Sequence, residues 1–300
     1  MPPGPLPAWQ RLRWLRRRSY DVATRQRRID LRKTLFVVPN AITLGAVFCG
    51  FNSIRISASP GAGPDEFYRA AILLILSMFF DLMDGRVARL TKTQSAFGLQ
   101  MDSLADVISF GVAPALLVYQ WVLHRLPVWG LVASFSFIAC AAIRLARFNV
   151  LASDTTGQPT KPGKYIIGLP SPPASGILIS LVVANHAVDD ALGDPRYTVA
   201  IGLMTVGLGL LMVSTVKFRS FKDLQLNLQV VLLLLFIIGT SAVIWSWLRP
   251  QFVLFWLLAC YVTIGVVETL RALFQKTVTK PVRPSSVHPP EAPEVPDALP

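Results

Sequence analysis

Charged residues, cysteines and histidines are all scarce in this sequence. Only 15% of its 300 residues are charged and 53% are hydrophobic, a composition that excludes an ordinary soluble domain. Each of the three cysteines lies inside an apolar run, which gives no disulfide framework and argues against a thiolate metal site. None of the three histidines lies near the acidic stretch at residues 81–106, so we assign no role to them.

Long apolar runs make up most of the chain. Runs of about 20 residues, long enough to cross a bilayer, occur at 35–54, 68–86, 101–123, 127–148, 168–188, 196–216, 229–247 and 251–272. The sequence therefore predicts an all-α, polytopic membrane helix bundle with about eight transmembrane helices. Pro170, Pro172 and Pro173 interrupt the start of the fifth run, and such prolines are tolerated where neighbouring helices satisfy the backbone.

The two ends differ in composition from the membrane domain predicted at 35–272. Residues 1–34 carry ten Lys or Arg among aromatic and aliphatic side chains, which predicts a basic interfacial arm on anionic lipid headgroups. Nucleic-acid binding is the rival interpretation of this arm, and the multi-span context argues against it. Residues 273–300 form the C-terminal tail, and its last 20 residues include seven prolines, which predicts disorder.

Lysine and arginine are distributed unequally between the two sides of the predicted bundle. With the N-terminus inside, the inner side holds 24 of these residues and the outer side holds five. This asymmetry predicts that both termini are cytoplasmic. We therefore expect an integral protein of the cell (inner) membrane, with its acidic stretch at the cytoplasmic face.

Four aspartates stand at the predicted cytoplasmic ends of the second and third spans. Asp81 and Asp84 are three residues apart, and Asp102 and Asp106 are four apart, so each pair shares one helix face. Carboxylates near hydrocarbon are costly and indicate function, and four like charges need a cation among them. The spacing predicts two divalent cations, Mg²⁺ or Mn²⁺, held between two helices, an arrangement used for displacement at phosphorus.

The acidic stretch also has a fixed pattern of small and basic residues. D-x2-D-G-x2-A-R-x8-G-x3-D-x3-D is matched at every fixed position, with Gly85, Ala88, Arg89 and Gly98 between the aspartates. The pattern resembles the signature of CDP-alcohol phosphatidyltransferases, and chance would produce it on the order of once in 10^10 starting positions. The resemblance covers residues 35–272 and implies a six-helix catalytic core within the bundle.

Roles for several residues follow from this resemblance. It implies that all four aspartates hold the two cations and that Asp106 also takes the proton from the attacking hydroxyl. The residues it assigns to CDP-diacylglycerol are Asn40, Thr43, Gly85, Arg89 and Ser95. From their residue types alone, Asn40 and Thr43 fit a purely structural role equally well, namely a helix cap together with a hydroxyl bond to the helix backbone.

Three further segments are similar to the phosphatidylserine synthase branch of the family: Arg144–Asn149, Gly168–Ala174 and Ser214–Lys222. This resemblance implies CDP-diacylglycerol and L-serine as substrates and CMP as product. The polar residues available for serine are Arg144, Arg147, Asn149, Lys217, Arg219 and Lys222. Taken singly, each cation also suits a helix end or a positive-inside anchor. We further expect membrane lipids as neighbours and no nucleic acid, and a homodimer is compatible with these features.

Two alternatives stay open at this point. One is the same chemistry with another acceptor alcohol, namely glycerol 3-phosphate, inositol or choline. The other is a cation-coupled transporter, which would need paired broken helices near the middle of the bilayer. The four aspartates instead lie at one membrane face and in one half of the chain, which argues against a transporter.

Overall fold

The structure is a computed structural model that describes residues 31–93, 95–152, 165–219, 228–248 and 250–278. Its α-helices are α1 (Leu31–Ser57), α2 (Pro64–Leu90), α3 (Ala96–Asp106), α4 (Ala113–Trp121), α5 (Trp129–Ala152), α6 (Ser171–Ala187), α7 (Thr198–Val213), α8 (Leu228–Val243) and α9 (Gln251–Val278). A π-helical turn at Val107–Val112 joins α3 to α4, and a second one at Ile244–Leu248 follows α8. Short 3₁₀ turns occupy Leu123–Arg125, Ala191–Gly193 and Pro195–Tyr197. The predicted helical membrane bundle is confirmed.

Helices occur at all eight predicted spans. Within the described ranges, the segments long and apolar enough to cross a membrane by themselves are Val37–Ser57, Ala96–Trp121, Trp129–Val150 and Pro195–Val213. Shorter apolar segments occur at Leu235–Ser246 and Gln251–Val267. Helix α6 has 17 residues, and α2 contains Asp81 and Asp84 as well as three arginines. Several apolar helices of this kind make the chain an integral membrane protein.

The ends of the bundle lie close to the predicted boundaries of the membrane domain. Helix α1 begins at Leu31, four residues before the predicted boundary, and α9 continues to Val278, six residues beyond the boundary at 272. The rest of the predicted basic arm, residues 1–30, and the rest of the predicted tail, residues 279–300, lie outside the described residues.

Helix α6 is the centre of the bundle. Thirteen of its 17 residues are buried, and it contacts α2, α4, α7 and α9. Pro172 and Pro173 lie in its first turn, where the backbone N–H groups have no partner inside the helix. The prolines that interrupt the fifth apolar run therefore mark the start of this helix and do not break it.

Two strands of three residues each are the exception to the helical fold in the described part of the chain. β1 (Tyr165–Ile167) pairs antiparallel with β2 (Lys217–Arg219), and the ribbon joins the start of α6 to the end of α7. Gly168 follows β1 with a φ of +78°, and a Cβ there would overlap the carbonyl oxygen of Met212. Two of the three segments that resemble the phosphatidylserine synthase branch thus lie side by side.

Helix α1 is packed closely against the helices that carry the aspartates. The hydroxyls of Ser77 on α2 and Ser109 in the first π turn both donate to the carbonyl oxygen of Ala46, at 2.9 Å and 3.3 Å. A Cβ at Gly50 would lie 3.1 Å from the Ser109 hydroxyl, so a glycine permits this approach. Ser77 comes one turn before Asp81, and this contact therefore fixes α1 directly beside the acidic stretch.

Candidate active site

Three of the four aspartates converge on one point. Asp81 on α2 and Asp102 and Asp106 on α3 each offer a carboxylate oxygen, and these oxygens lie within 4.8 Å of one another. Oδ1 of Asp106 is buried and has no hydrogen-bond partner among the described residues. A buried carboxylate oxygen without a partner is costly unless a cation or proton meets it, so this donor set fits a hard divalent cation.

Asp84 belongs to the same acidic site but has a protein partner. The Thr43 hydroxyl on α1 is 2.6 Å from Oδ2 of Asp84, to which it donates, and 3.1 Å from the carbonyl oxygen of Pro39. Both side chains are buried, with 6% of Thr43 and 4% of Asp84 exposed. Asp84 also interacts electrostatically with Asp81 and Asp102. Thr43 therefore faces the bundle, and its hydroxyl orients a residue of the acidic motif.

Asn40 and Ser95 both lie close to Gly98 in the first turn of α3. Ser95 is the N-cap of this helix, because its hydroxyl oxygen accepts a hydrogen bond of 2.9 Å from the backbone N–H of Gly98. A Cβ at Gly98 would lie 3.7 Å from the side-chain oxygen of Asn40 and 3.2 Å from that of Ser95. The glycine of the motif thus leaves room for an α1 side chain beside the first turn of α3.

Gly85 and Arg89 lie on one face of α2, directly after Asp84. A Cβ at Gly85 would be 3.8 Å from Nη1 of Arg89, so the guanidinium lies over the space that the glycine leaves. Arg89 is exposed. An exposed guanidinium next to the acidic site is suited to a phosphate group, which it can bind with two parallel hydrogen bonds.

Arg144 on α5 brings a cation next to the aspartates from another helix. Its Nη1 donates to the Ser171 hydroxyl at 3.3 Å, and the guanidinium interacts electrostatically with Asp106. Its Nε is buried without a hydrogen-bond partner in the part of the chain that the structure describes. Because a buried N–H group without an acceptor is costly, this nitrogen is a donor suited to an anionic ligand.

The other residues predicted for the serine site do not gather in the same way. Asn149 accepts a hydrogen bond of 2.9 Å from the Ser103 hydroxyl, next to Asp102 in the chain. Arg147 is exposed and its Nη1 lies 3.4 Å from the carbonyl oxygen of Val213, to which it donates. The remaining three are Lys217 and Arg219, which lie in β2, and Lys222, which is outside the described residues.

Sequence reasoning missed the π-helical turn and the partners of Arg144. The turn at Val107–Val112 begins directly after Asp106, and π turns inside helices occur frequently at functional sites. Nothing in its sequence distinguishes it from an ordinary apolar helix. Ser171 does carry a sequence signal, because it lies inside the Gly168–Ala174 segment that resembles the phosphatidylserine synthase branch.

Comparison with known families agrees with the acidic motif and its geometry. The family model for CDP-alcohol phosphatidyltransferase matches residues 36–213, which is more than half of the chain. The chain belongs to the CDP-alcohol phosphatidyltransferase family. CDP-alcohol phosphatidyltransferases use divalent metals, and the oxygen-rich cluster of Asp81, Asp102 and Asp106 suits such an ion. Helices α8 and α9 lie beyond the matched segment.

Curated relatives within this phosphatidyltransferase family carry the name CDP-diacylglycerol–serine O-phosphatidyltransferase. The protein from Helicobacter pylori (strain J99) is 34% identical over 234 residues, which cover 78% of this chain and 91% of the relative. The protein from Bacillus subtilis (strain 168) is 32% identical, over 62% of this chain and 91% of the relative. The Methanocaldococcus jannaschii protein is 32% identical, over 66% and 83%.

Proposed function

We propose that this protein is a phosphatidylserine synthase, which transfers the phosphatidyl group of CDP-diacylglycerol to L-serine and releases CMP. The observation that carries the proposal is the position of the half-buried Arg144 guanidinium, which donates to Ser171 and interacts electrostatically with Asp106 of the acidic motif. Arg144, which can bind the carboxylate of serine, thus lies beside the aspartates that would hold the metals for the diphosphate of CDP-diacylglycerol. The names of the curated relatives support the same reaction.

The acidic site would hold the metals. Asp81, Asp84, Asp102 and Asp106 would bind two divalent cations, Mg²⁺ or Mn²⁺, which would supply positive charge at the diphosphate when bound. The hydrogen bond from Thr43 keeps one oxygen of Asp84 oriented, which leaves its second oxygen for an ion. The buried Oδ1 of Asp106 has no hydrogen-bond partner in the described ranges, which supports its assignment to this set.

Asp106 would also act as the general base. It takes the proton from the serine hydroxyl, whose oxygen then forms a bond to the phosphorus of the phosphatidyl group. The bond between that phosphorus and the bridging oxygen breaks, and the oxygen leaves with CMP. Asp106 belongs to the carboxylate cluster and also interacts electrostatically with Arg144, so it connects the proposed metal site to the proposed acceptor cation, which supports this role.

Side chains on α1, α2 and the start of α3 would bind CDP-diacylglycerol. The residues proposed for this role are Asn40, Thr43, Gly85, Arg89 and Ser95. Arg89 offers a fork for a phosphate, and Gly85 lets the ligand approach the backbone of α2. Ser95 already accepts a hydrogen bond from Gly98, and its hydroxyl hydrogen remains available to donate to the nucleotide.

The acceptor would bind on the side of α5. Arg144 is the proposed partner of the serine carboxylate, because its buried Nε–H has no acceptor within the described chain. Arg147, Asn149, Lys217, Arg219 and Lys222 complete the proposed set. We propose that the site faces the cytoplasm at the cell (inner) membrane, because the distribution of Lys and Arg predicts that both termini are cytoplasmic.

The test is an acceptor screen with the purified protein and CDP-diacylglycerol. L-Serine, glycerol 3-phosphate, inositol and choline are supplied in turn, and CMP release and the lipid product are measured. We expect CMP release with serine and phosphatidylserine as the product. Product from glycerol 3-phosphate and none from serine would change the acceptor and leave the family unaltered. No CMP release with any alcohol would overturn phosphatidyl transfer itself.

A further inference from the structure

The first residue of α6 is hydrogen-bonded to the cation of the proposed acceptor site. The hydroxyl oxygen of Ser171 accepts a hydrogen bond of 3.3 Å from Nη1 of Arg144 on α5. Ser171 is fully buried, so water does not compete for this oxygen. In the function proposed above, Arg144 binds the acceptor and Ser171 has no role. Their contact raises the question of what the serine hydroxyl does for the arginine.

The backbone at Ser171 is held in place by contacts other than Arg144. The N–H of Leu169, two residues earlier, donates to the carbonyl oxygen of Leu211 on α7 at 3.0 Å. The hydroxyl of Ser175, one turn further along α6, lies 2.9 Å from the carbonyl oxygen of Ser171 and 3.0 Å from that of Pro172. The Ser171 hydroxyl is therefore a fixed acceptor, which the more flexible arginine side chain meets.

The shape of a guanidinium explains what a bond at Nη1 does. The group is planar and its five N–H groups point in fixed directions, so a bond at one nitrogen restricts where the others point. Nε and Nη2 of Arg144 form the edge that does not include Nη1, and Nε is buried without a hydrogen-bond partner in the described ranges. A bond from Nη1 to Ser171 thus leaves this edge for an anion, which it can bind with two parallel hydrogen bonds.

We propose that Ser171 is a positioning residue whose hydroxyl holds Nη1 of Arg144, so that the edge formed by Nε and Nη2 binds the anionic group of the acceptor. Ser171 then favours an anionic acceptor without contacting it. This inference rests on the proposed function, since it takes Arg144 as the partner of the acceptor. It also gives a role to the Gly168–Ala174 segment, which resembles the phosphatidylserine synthase branch.

The experiment removes the hydroxyl in the full-length purified protein. In Ser171→Ala we expect the KM for serine to rise on the order of tenfold, because one hydrogen bond to a charged group is lost. The kcat and the KM for CDP-diacylglycerol should stay close to wild type. An unchanged KM for serine, or an equal loss for both substrates, would overturn the inference. If Ser171→Ala does not fold, Ser171→Cys decides by the same criteria, because it fills the same space with a weak acceptor.

Ser180→Ala is the matched control on the same helix. Ser180 is also fully buried, and its hydroxyl donates to the carbonyl oxygen of Ile177 within α6 at 2.8 Å. The control therefore removes one buried hydroxyl from α6 and leaves the Arg144–Ser171 contact intact. We expect its KM for serine to stay close to wild type. A rise as large as that in Ser171→Ala would show a general disturbance of α6 and would overturn the positioning role.

A double-mutant cycle tests whether Ser171 acts through Arg144. Arg144→Lys keeps a positive charge but loses the planar fork, so it should raise the KM for serine by itself. If Ser171 acts only by orienting the guanidinium, adding Ser171→Ala to Arg144→Lys should raise the KM little further. Full additivity of the two effects would mean that the hydroxyl acts independently of Arg144, and the inference would fail.

The choice of acceptor separates this inference from the proposed function. If the wild type uses glycerol 3-phosphate and not serine, the proposed function fails, and the variants are compared with that acceptor, whose phosphate is also an anion. A selective, non-additive rise in its KM would still support the role of Ser171, and an additive or absent effect would overturn it. Activity with inositol or choline alone, or with no alcohol, would overturn both proposals, because no anionic acceptor would then exist for Arg144.

Discussion

Thr43 on α1 donates a hydrogen bond of 2.6 Å to Oδ2 of Asp84 on α2. Both side chains are buried, and the bond joins two segments that are 41 residues apart in sequence. It links the Pro39–Thr43 segment to the acidic motif within a single site. A buried carboxylate with one oxygen fixed in this way presents its other oxygen in a defined direction, which a metal site requires.

The first prediction concerns this hydrogen bond. Thr43→Val keeps the shape of the side chain and removes the hydroxyl, so Asp84 loses the hydrogen bond that Thr43 donates to it. A hydrogen bond to a charged group contributes about 1.5–3 kcal/mol. We therefore expect activity to fall roughly ten- to a hundredfold, with a higher metal concentration needed for half-maximal rate. Thr43→Ser is the control and should retain most activity. An unaltered metal dependence in Thr43→Val would show that the hydroxyl does not orient a ligand.

The second prediction concerns the other metal ligands. Asp81→Asn, Asp84→Asn and Asp102→Asn should each abolish CMP release, because a neutral amide weakens a site for a hard cation. A chelator should inactivate the wild type, and Mg²⁺ or Mn²⁺ should restore it. Asp194→Asn is the matched control, because Asp194 forms an ion pair of 3.1 Å with exposed Arg196, far along the chain from the motif. Full activity of the wild type in excess chelator would contradict the two-metal proposal.

The third prediction separates binding from proton transfer. Asp106→Asn should lose most of the rate while still binding CDP-diacylglycerol, because the other aspartates remain to hold a cation for the diphosphate. Binding is measured with labelled CDP-diacylglycerol, and turnover by CMP release in the same preparation. Near-normal turnover would mean that the proton leaves by another route and that Asp106 is only a ligand.

Local spacing made part of this site predictable. Helical periodicity alone places Asp81 with Asp84 and Asp102 with Asp106, and the structure brings Asp81 to the second pair as expected. The residue type of Thr43 allows two interpretations: a side chain that faces the interior of the bundle, or a hydroxyl that bonds to the helix backbone. The structure shows both, because the hydroxyl lies near the carbonyl oxygen of Pro39 and near Asp84.

Long-range relationships were beyond sequence reasoning. The Asn149–Ser103 and Arg144–Ser171 hydrogen bonds depend on how separate helices pack, which periodicity within one helix does not determine. The β1–β2 ribbon was not predictable either, because strands of three residues are too short to show a recognisable alternation of apolar and polar residues. The π turn after Asp106 is mostly apolar, and its one glycine, Gly111, does not by itself distinguish a π turn from an α-helix.

The fourth prediction concerns membrane orientation. Asp65 at the start of α2 lies 3.9 Å from His186 at the end of α6, so the connections before α2 and after α6 lie at one face of the bundle. With the native cysteines replaced, Ala62→Cys and Ala191→Cys should both react with an impermeant thiol reagent from outside. Pro5→Cys and Pro290→Cys should react only from the cytoplasmic side. Labelling of Pro5→Cys from outside would invert the proposed orientation.

The fifth prediction distinguishes two arginines of the same helix end. Arg144 and Arg147 both lie on α5, but only Arg144 is placed beside Asp106 and Ser171, while exposed Arg147 donates to the carbonyl oxygen of Val213. The fold-loss of serine-dependent CMP release should therefore be at least ten times larger in Arg144→Ala than in Arg147→Ala. Both variants should still bind CDP-diacylglycerol. Removing the half-buried cation Arg144 leaves the bound carboxylate without its partner, whereas loss of the exposed cation Arg147 is largely compensated by water. Equal effects of the two substitutions would mean that the cations act through the general positive charge of this face, and the acceptor site would have to be sought elsewhere.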